Sequence, residues 1–259
     1  MTLDPAQQVH ALEEVCRAAV ELTRSMSADE AALPTDCPGW SVQDHLAHMV
    51  GLETVLAGAP EPDVELPHLD HVTTEIDAYM ERHVHARRAL SIDNIADELD
   101  GLLSRRIDQL QALVAEGDPE MPAPMGTTRA LSLGLPMRVF DLWTHEQDMR
   151  RALGRPMRLD GLTGPFVAER ILTLWTMALP RNEEIPPGRL TVRVTAPTEA
   201  EATIELGDGG STATLVGDLE VTARLLCGRG ASDEVLERAT VEGDRAWFDT
   251  LTPHLVSTP

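Results

Sequence analysis

Apolar residues recur at steps of three and four over several long stretches of the chain, which predicts a largely helical N-terminal part. From Pro5 to Met26, the residues Val9, Leu12, Val15, Ala19 and Leu22 share one helix face. Leu33-Pro-Thr-Asp-Cys-Pro-Gly39 then carries turn chemistry. Ser41 followed by Asp44 reads as a capping box that opens a second helix over 42–56. Gly58-Ala-Pro-Glu-Pro62 breaks that helix and leads into an acidic loop. Helical periodicity resumes over 69–90, with Ile76, Met80 and Val84, and over 92–115, with Ile95, Leu99, Leu102, Leu103, Ile107 and Leu110. The proline-rich connector from Gly117 to Pro124 and an irregular approach over 126–134 follow. Pro136 fits the first residue of a key helix that stops near Leu153-Gly154-Arg-Pro156. A last apolar helix over 161–179, with Phe166, Ile171, Leu172, Leu174, Trp175 and Met177, closes the set.

The period then changes from helical to alternating. Asn182-Glu-Glu-Ile-Pro-Pro-Gly188 is the expected boundary, dividing a helical domain over 1–182 from a smaller domain over 188–259. Beyond it, Leu190-Thr-Val-Arg-Val-Thr195, Ala202-Thr-Ile-Glu-Leu206 and Ala213-Thr-Leu-Val216 read as strands separated by turns such as Gly207-Asp-Gly-Gly210. A helix over 219–226, a short helix through Leu236 and a brief strand at Thr240-Val-Glu242 complete a small α+β domain, its helices on one side of an antiparallel sheet. The fold class is therefore α+β, a helical bundle followed by a sheet domain.

Composition narrows the function. The 259 residues are 42% hydrophobic and only 3% aromatic, so Leu, Val, Ala and Met must fill the core. The 21 basic against 43 acidic residues, a net charge of −22, argue against docking to nucleic acid or to an anionic membrane. Every basic residue is Arg, which removes Schiff-base chemistry and a phosphate-loop lysine. Cys16, Cys37 and Cys227 are odd in number and widely spaced, which fits a reducing compartment. The polar N-terminus, Met-Thr-Leu-Asp-Pro5, and the lack of a long apolar run predict a cytoplasmic protein.

The chemistry concentrates in Arg138-Val-Phe-Asp141-Leu-Trp-Thr-His145-Glu-Gln-Asp148. Asp141 and His145, four residues apart, share one helix face and offer an oxygen and a nitrogen to a divalent cation. His48, at the border of the apolar stripe of the second helix, is the obvious third donor. The spacing is also met by a pair that hydrogen-bonds to itself or to Arg138 at a helix seam, and a lone histidine such as His48 is more often a satisfied core residue. Glu53 is given no role. His68, His71, His83 and His85 read as surface histidines.

Two motifs in order, Cys37-Pro-Gly-Trp-Ser-Val-Gln-Asp-His-Leu-Ala-His48 and Arg138-Val-Phe-Asp141 through Gly154, resemble the mycothiol-dependent maleylpyruvate isomerase family of DinB/YfiT-like helical bundles. Leu219 to Asp244, with its Cys-Gly-Arg229, is similar to that family's sterol-carrier-like second domain. The resemblance implies a four-helix bundle holding a divalent metal, usually zinc, through His48, Asp141 and His145, where the isomerase itself has Glu at the position of Asp141. It also implies a low-molecular-weight thiol, mycothiol or one like it, held as thiolate and added to an electrophilic small molecule, in an isomerase or a thiol transferase. Arg229 then becomes a candidate contact for a substrate carboxylate or the thiol cofactor. Arg138 and Asp148 become candidates to orient Asp141 and His145, and both are open to the plainer reading of helix salt bridges. Two alternatives stand beside this reading: metal-assisted hydrolysis, and a non-catalytic binding protein with a structural metal. The expected partners are small molecules, with the chain a monomer or homodimer.

Overall fold

Side-chain caps decide where most helices of the first unit begin. In the computed structural model, which describes residues 3–24, 26–159 and 161–257, Asp4 and Gln7 form a capping box for α1 (Pro5–Thr23). Met1, Thr2 and Ser25, parts of the expected N-terminus and first helix, lie outside the described residues, as do Asp160, Thr258 and Pro259. Ser27 and Glu30 cap the short α2 (Ala28–Ala31), Ser41 and Asp44 cap α3 (Val42–Leu56), and Thr74 and Asp77 cap α4 (Glu75–His85). Ser91 caps α5 (Ile92–Ala115). The expected helix over 69–90 is thus the shorter α4, because Thr74 takes the cap and the residues before it stay in a loop.

Two expectations about the key helix are corrected. The stretch expected to be irregular is a two-stranded antiparallel hairpin, β1 (Glu120–Ala123) and β2 (Thr127–Ala130), and it feeds directly into α6 (Leu131–Ala152). Pro136 therefore sits inside α6 rather than at its first residue. The start moves upstream because Asp118, from before the hairpin, accepts from the Ser132 backbone N–H at 2.7 Å and from its hydroxyl at 2.9 Å. That carboxylate supplies a cap from outside the helix's own sequence. The helix ends as expected, with Gly154 at φ +63°.

α1 and α3 each pack against both α5 and α6, which makes these four the bundle, and α4 lies along α3. Leu12, Leu46, Leu99, Leu110, Val139 and Trp143 are all buried in it. Truncating one such leucine to alanine costs about 2–5 kcal/mol.

The chain divides into two compact units at Met157, ahead of the boundary expected at 182–188. The reason lies in α7 (Thr163–Ala178). This helix, expected to close the bundle, packs instead against elements of the second unit, namely β4 (Ala200–Leu206) and α8 (Leu219–Leu226). The sheet of that unit has the order β4-β3-β5-β6, with β3 (Gly188–Val194), β5 (Thr212–Gly217) and β6 (Thr240–Gly243). Alternation holds on β3: Leu190, Val192 and Val194 are buried, while Arg189 and Arg193 pair across the exposed face with Glu205 and Glu201.

The sheet is mixed rather than wholly antiparallel, since β5 runs parallel to β3 while β4 and β6 pair antiparallel. Gly207-Asp-Gly-Gly210 does not turn β4 back on a neighbour. It carries the chain past the start of β3, where a Cβ on Gly209 would lie 2.6 Å from the Pro187 carbonyl oxygen. α9 (Ser232–Leu236) and α10 (Arg245–Leu251), the latter capped by Asp244, follow.

His83, expected at the surface, is buried in α4 with neither ring nitrogen in a hydrogen bond, packed edge-on against Tyr79. α3 lies close enough that a Cβ on Gly51 would overlap the His83 side chain. Burial first, then His48 and Arg87, lower the His83 pKa from 6.5 to about 4. Between those two values the unfolded chain binds the proton and the folded one does not. Stability from this group is therefore present above pH 6.5 and lost as the pH falls toward 4. Replacing His83 by Leu should remove that loss. Relative to wild type the variant should gain up to about 3 kcal/mol between pH 7 and pH 4, read from denaturant unfolding at each pH.

Candidate metal centre

Four side chains from α3 and α6 meet where the helices cross. His48 and His45 stand three apart on α3, and Asp141 and His145 four apart on α6, so each pair faces the other helix. His48 Nε2 lies 3.4 Å from Asp141 Oδ2, and His145 Nε2 lies 3.6 Å from Asp141 Oδ1. The three donors expected from the sequence are thus brought together, with their ligand atoms within 4.8 Å of one another. Two imidazole nitrogens and a carboxylate oxygen are a set that zinc takes, so the residues present fit such a cation.

The indole of Trp40, just ahead of α3, touches the rings of His45, His48 and His145 at centroid distances of 5.4, 5.1 and 5.7 Å. Its own Nε1 donates to buried Glu81 at 2.9 Å, which also receives His71 at 3.1 Å and Arg88. His71 is therefore part of this support rather than a plain surface histidine. His48 Nδ1 is buried with no hydrogen-bond partner, so packing on Trp40 orients that ring.

Behind Asp141 runs a line of buried charges. Arg138 Nη1 donates to Asp141 Oδ2 at 2.6 Å and its Nε to Glu53 Oε1 at 2.9 Å. The other oxygen of Glu53 accepts from Arg106 Nε on α5 at 2.7 Å. Arg138, a candidate from the sequence, touches the centre through Asp141. Glu53 is the residue that sequence reading missed. Its sign there was a carboxylate on the apolar side of α3, a place that demands a cationic partner.

Electrostatics set the charge states in the metal-free protein. Burial opposes ionisation of Asp141, but Arg138 first and His145 next outweigh it and hold the carboxyl well below its usual range. Burial, then His145, lower the His48 pKa to about 4, so this ring is neutral at pH 7 and keeps a lone pair for a cation. Burial would also lower His145, but Asp141 and Asp148 more than offset it and raise the imidazolium pKa above the ordinary value.

Asp141 keeps 31% of its side chain exposed. It lines a cavity of about 170 Å³ walled by Leu52, Leu56, Met80, Met121 and Met137, with Arg138 and Arg129 also on the lining. Arg229 belongs to the second unit. It is buried there, and its Nη1 donates to the Cys227 carbonyl at 2.6 Å. Among the described residues, no helix is long and apolar enough to cross a membrane.

Residues 12–150 match the family model described as the mycothiol maleylpyruvate isomerase N-terminal domain. Among solved structures the chain is similar to a mycothiol-dependent maleylpyruvate isomerase, with a TM-score of 0.63 and 16% identity over 93% of this chain and 95% of that one. A histidine-to-alanine mutant of that enzyme matches with a TM-score of 0.62 at the same identity and coverage. At this identity the likeness shows the fold. No curated protein matches the chain by sequence.

Removing Glu53 tests the buried line of charges. Glu53→Ala leaves Arg106 and Arg138 facing each other without the anion between them, and it should cost about 3–5 kcal/mol of unfolding free energy. Glu53→Gln, which keeps hydrogen-bond acceptors, should cost less. Equal stability of Glu53→Ala and wild type in a denaturant titration would contradict this.

Proposed function

Because the chain belongs to the family of the mycothiol maleylpyruvate isomerase N-terminal domain, we propose that it is a metal-dependent enzyme of thiol chemistry. In this reading a low-molecular-weight thiol, mycothiol or one like it, adds to an electrophilic small molecule. The observation that carries the reading is the convergence of His48, Asp141 and His145 beside a cavity that Asp141 itself lines. These three residues would hold a divalent cation, most simply zinc. With three protein donors it would keep an open position and favour a thiolate over a thiol at neutral pH.

The chain's own groups prepare that site. Arg138 keeps Asp141 ionised and fixes its carboxylate by holding Oδ2, the oxygen that also faces His48, which leaves Oδ1 toward His145. Trp40 covers the three histidine rings and keeps bulk water from that side. The apolar cavity wall suits the carbon skeleton of a small substrate, and Arg129 suits an anionic group on it. Sulfur adds to one carbon of a conjugated double bond, the electron pair moves to the substrate's acceptor group, and the remaining single bond rotates. Loss of the same thiolate then restores the double bond in the other geometry, so no oxidant or proton is consumed. In a transferase the carbanion takes a proton and the thioether leaves.

The test is thiol consumption or substrate isomerisation against a panel of activated alkenes and epoxides. Activity should vanish after chelation and return with zinc. His48→Ala and Asp141→Ala should each lower it by at least 100-fold, on the order of 3 kcal/mol, with helical circular dichroism unchanged. Asp141→Glu, which restores the longer carboxylate of the isomerase, should retain activity. Undiminished turnover by the chelated protein would rule the reading out.

A further inference from the structure

Cys37 and His45 have no part in the proposed function, yet both are aimed at the same helix crossing. With His145 and Asp148 they form a second group whose ligand atoms lie within 4.8 Å of one another. His145 belongs to both groups through opposite nitrogens: Nε2 faces Asp141, and Nδ1 faces His45 Nδ1 at 2.9 Å and Asp148 Oδ2 at 3.6 Å. Asp148 Oδ2 is also 3.9 Å from His45 Nδ1 and 3.7 Å from Cys37 Sγ.

These separations suit one cation held among the four donors. Donors about 2.0–2.3 Å from a tetrahedral ion stand roughly 3.3–3.7 Å apart, close to three of the four distances. A shared proton accounts for the 2.9 Å contact of the two rings. The Asp148 oxygen accepts from the Cys37 thiol at 3.7 Å, so this hydrogen bond already turns the sulfur and the carboxylate toward the two rings. His45 Nε2 is engaged by the Thr35 hydroxyl at 2.8 Å, which turns Nδ1 to the group, as a ligating histidine is held by its other nitrogen. Arg151 approaches the far oxygen of Asp148, Oδ1, at 3.8 Å and leaves Oδ2 inward. Cys37, half-buried in the turn before α3, supplies an entry path.

We propose that Cys37 Sγ, His45 Nδ1, His145 Nδ1 and Asp148 Oδ2 form a second site for a thiophilic divalent cation such as zinc, back to back with the first and bridged by His145. Binding there displaces a proton from the Cys37 thiol and one from His145 Nδ1. Thiolate and carboxylate together balance the charge of the ion. When both sites are filled the His145 ring is an imidazolate. Four protein donors leave no open position, so this ion is structural and ties the turn carrying Trp40 to α3 and α6. The site does not depend on the thiol chemistry proposed above.

The test is cobalt(II) titration of the full chain, reduced with a phosphine and free of added thiol. Wild type should bind two equivalents and show a near-ultraviolet sulfur-to-cobalt charge-transfer band. Cys37→Ser should bind one and lose the band, whereas His48→Ala should bind one and keep it. His45→Gln, which conserves polarity and bulk, should weaken the cobalt affinity that the band reports by at least tenfold. A single equivalent in wild type, no band, or a band that survives Cys37→Ser would overturn the second site. Unchanged stoichiometry in His48→Ala with the Cys37 results intact would instead count against the first.

Discussion

A carboxylate sealed from water must meet positive charge, and Glu53 meets it twice. Arg106 of α5 takes one oxygen, Arg138 of α6 takes the other, and Glu53 itself belongs to α3. Three of the four bundle helices are thereby set in register by one buried group. Such a triad is no cheaper than an apolar core of the same volume, but breaking it strands charge in a low dielectric. What it secures is orientation. Arg138 has its Nε fixed on Glu53, so its Nη1 is delivered to Asp141, and Asp141 is delivered to His48 and His145.

The centre uses the two nitrogens of each imidazole for different work. His48 offers Nε2 to Asp141 and is held by Trp40 rather than by a second hydrogen bond. His145 offers Nε2 to the same carboxylate and Nδ1 to a neighbouring set of donors. Trp40 covers all three rings and is itself anchored on Glu81, so the loop before α3 is as much a part of the centre as the helices are. The chain is a member of the mycothiol maleylpyruvate isomerase N-terminal domain family, and its three converging donors stand at the rim of an apolar cavity.

Local chemistry decided much of this from the sequence alone. The capping box of Ser41 and Asp44 starts α3 where the motif predicts, α5 spans the expected 92–115, and α8 spans the expected 219–226. Helical spacing puts Asp141 and His145 on one face and two ordered motifs single out His48, while the packing of α3 on α6 brings the three together. Apart from that packing, each of these features depends on residues within a few positions of one another, or on a periodicity that survives without knowledge of the fold.

Only the tertiary structure decided the rest, because the partners lie far apart in the chain. Asp118 caps α6 from across a hairpin, so Pro136 lies inside the helix and not at its start. α7 finds its apolar partners in β4 and α8, which moves the division of the chain to Met157. His83 is buried because α3 packs over it at Gly51, and no pattern in α4 alone states that. Glu53 meets Arg106 and Arg138, and Cys37 meets Asp148, across separations that periodicity does not encode. A helix-forming residue pattern specifies which face is buried. Which buried charge meets which is settled only when the helices pack.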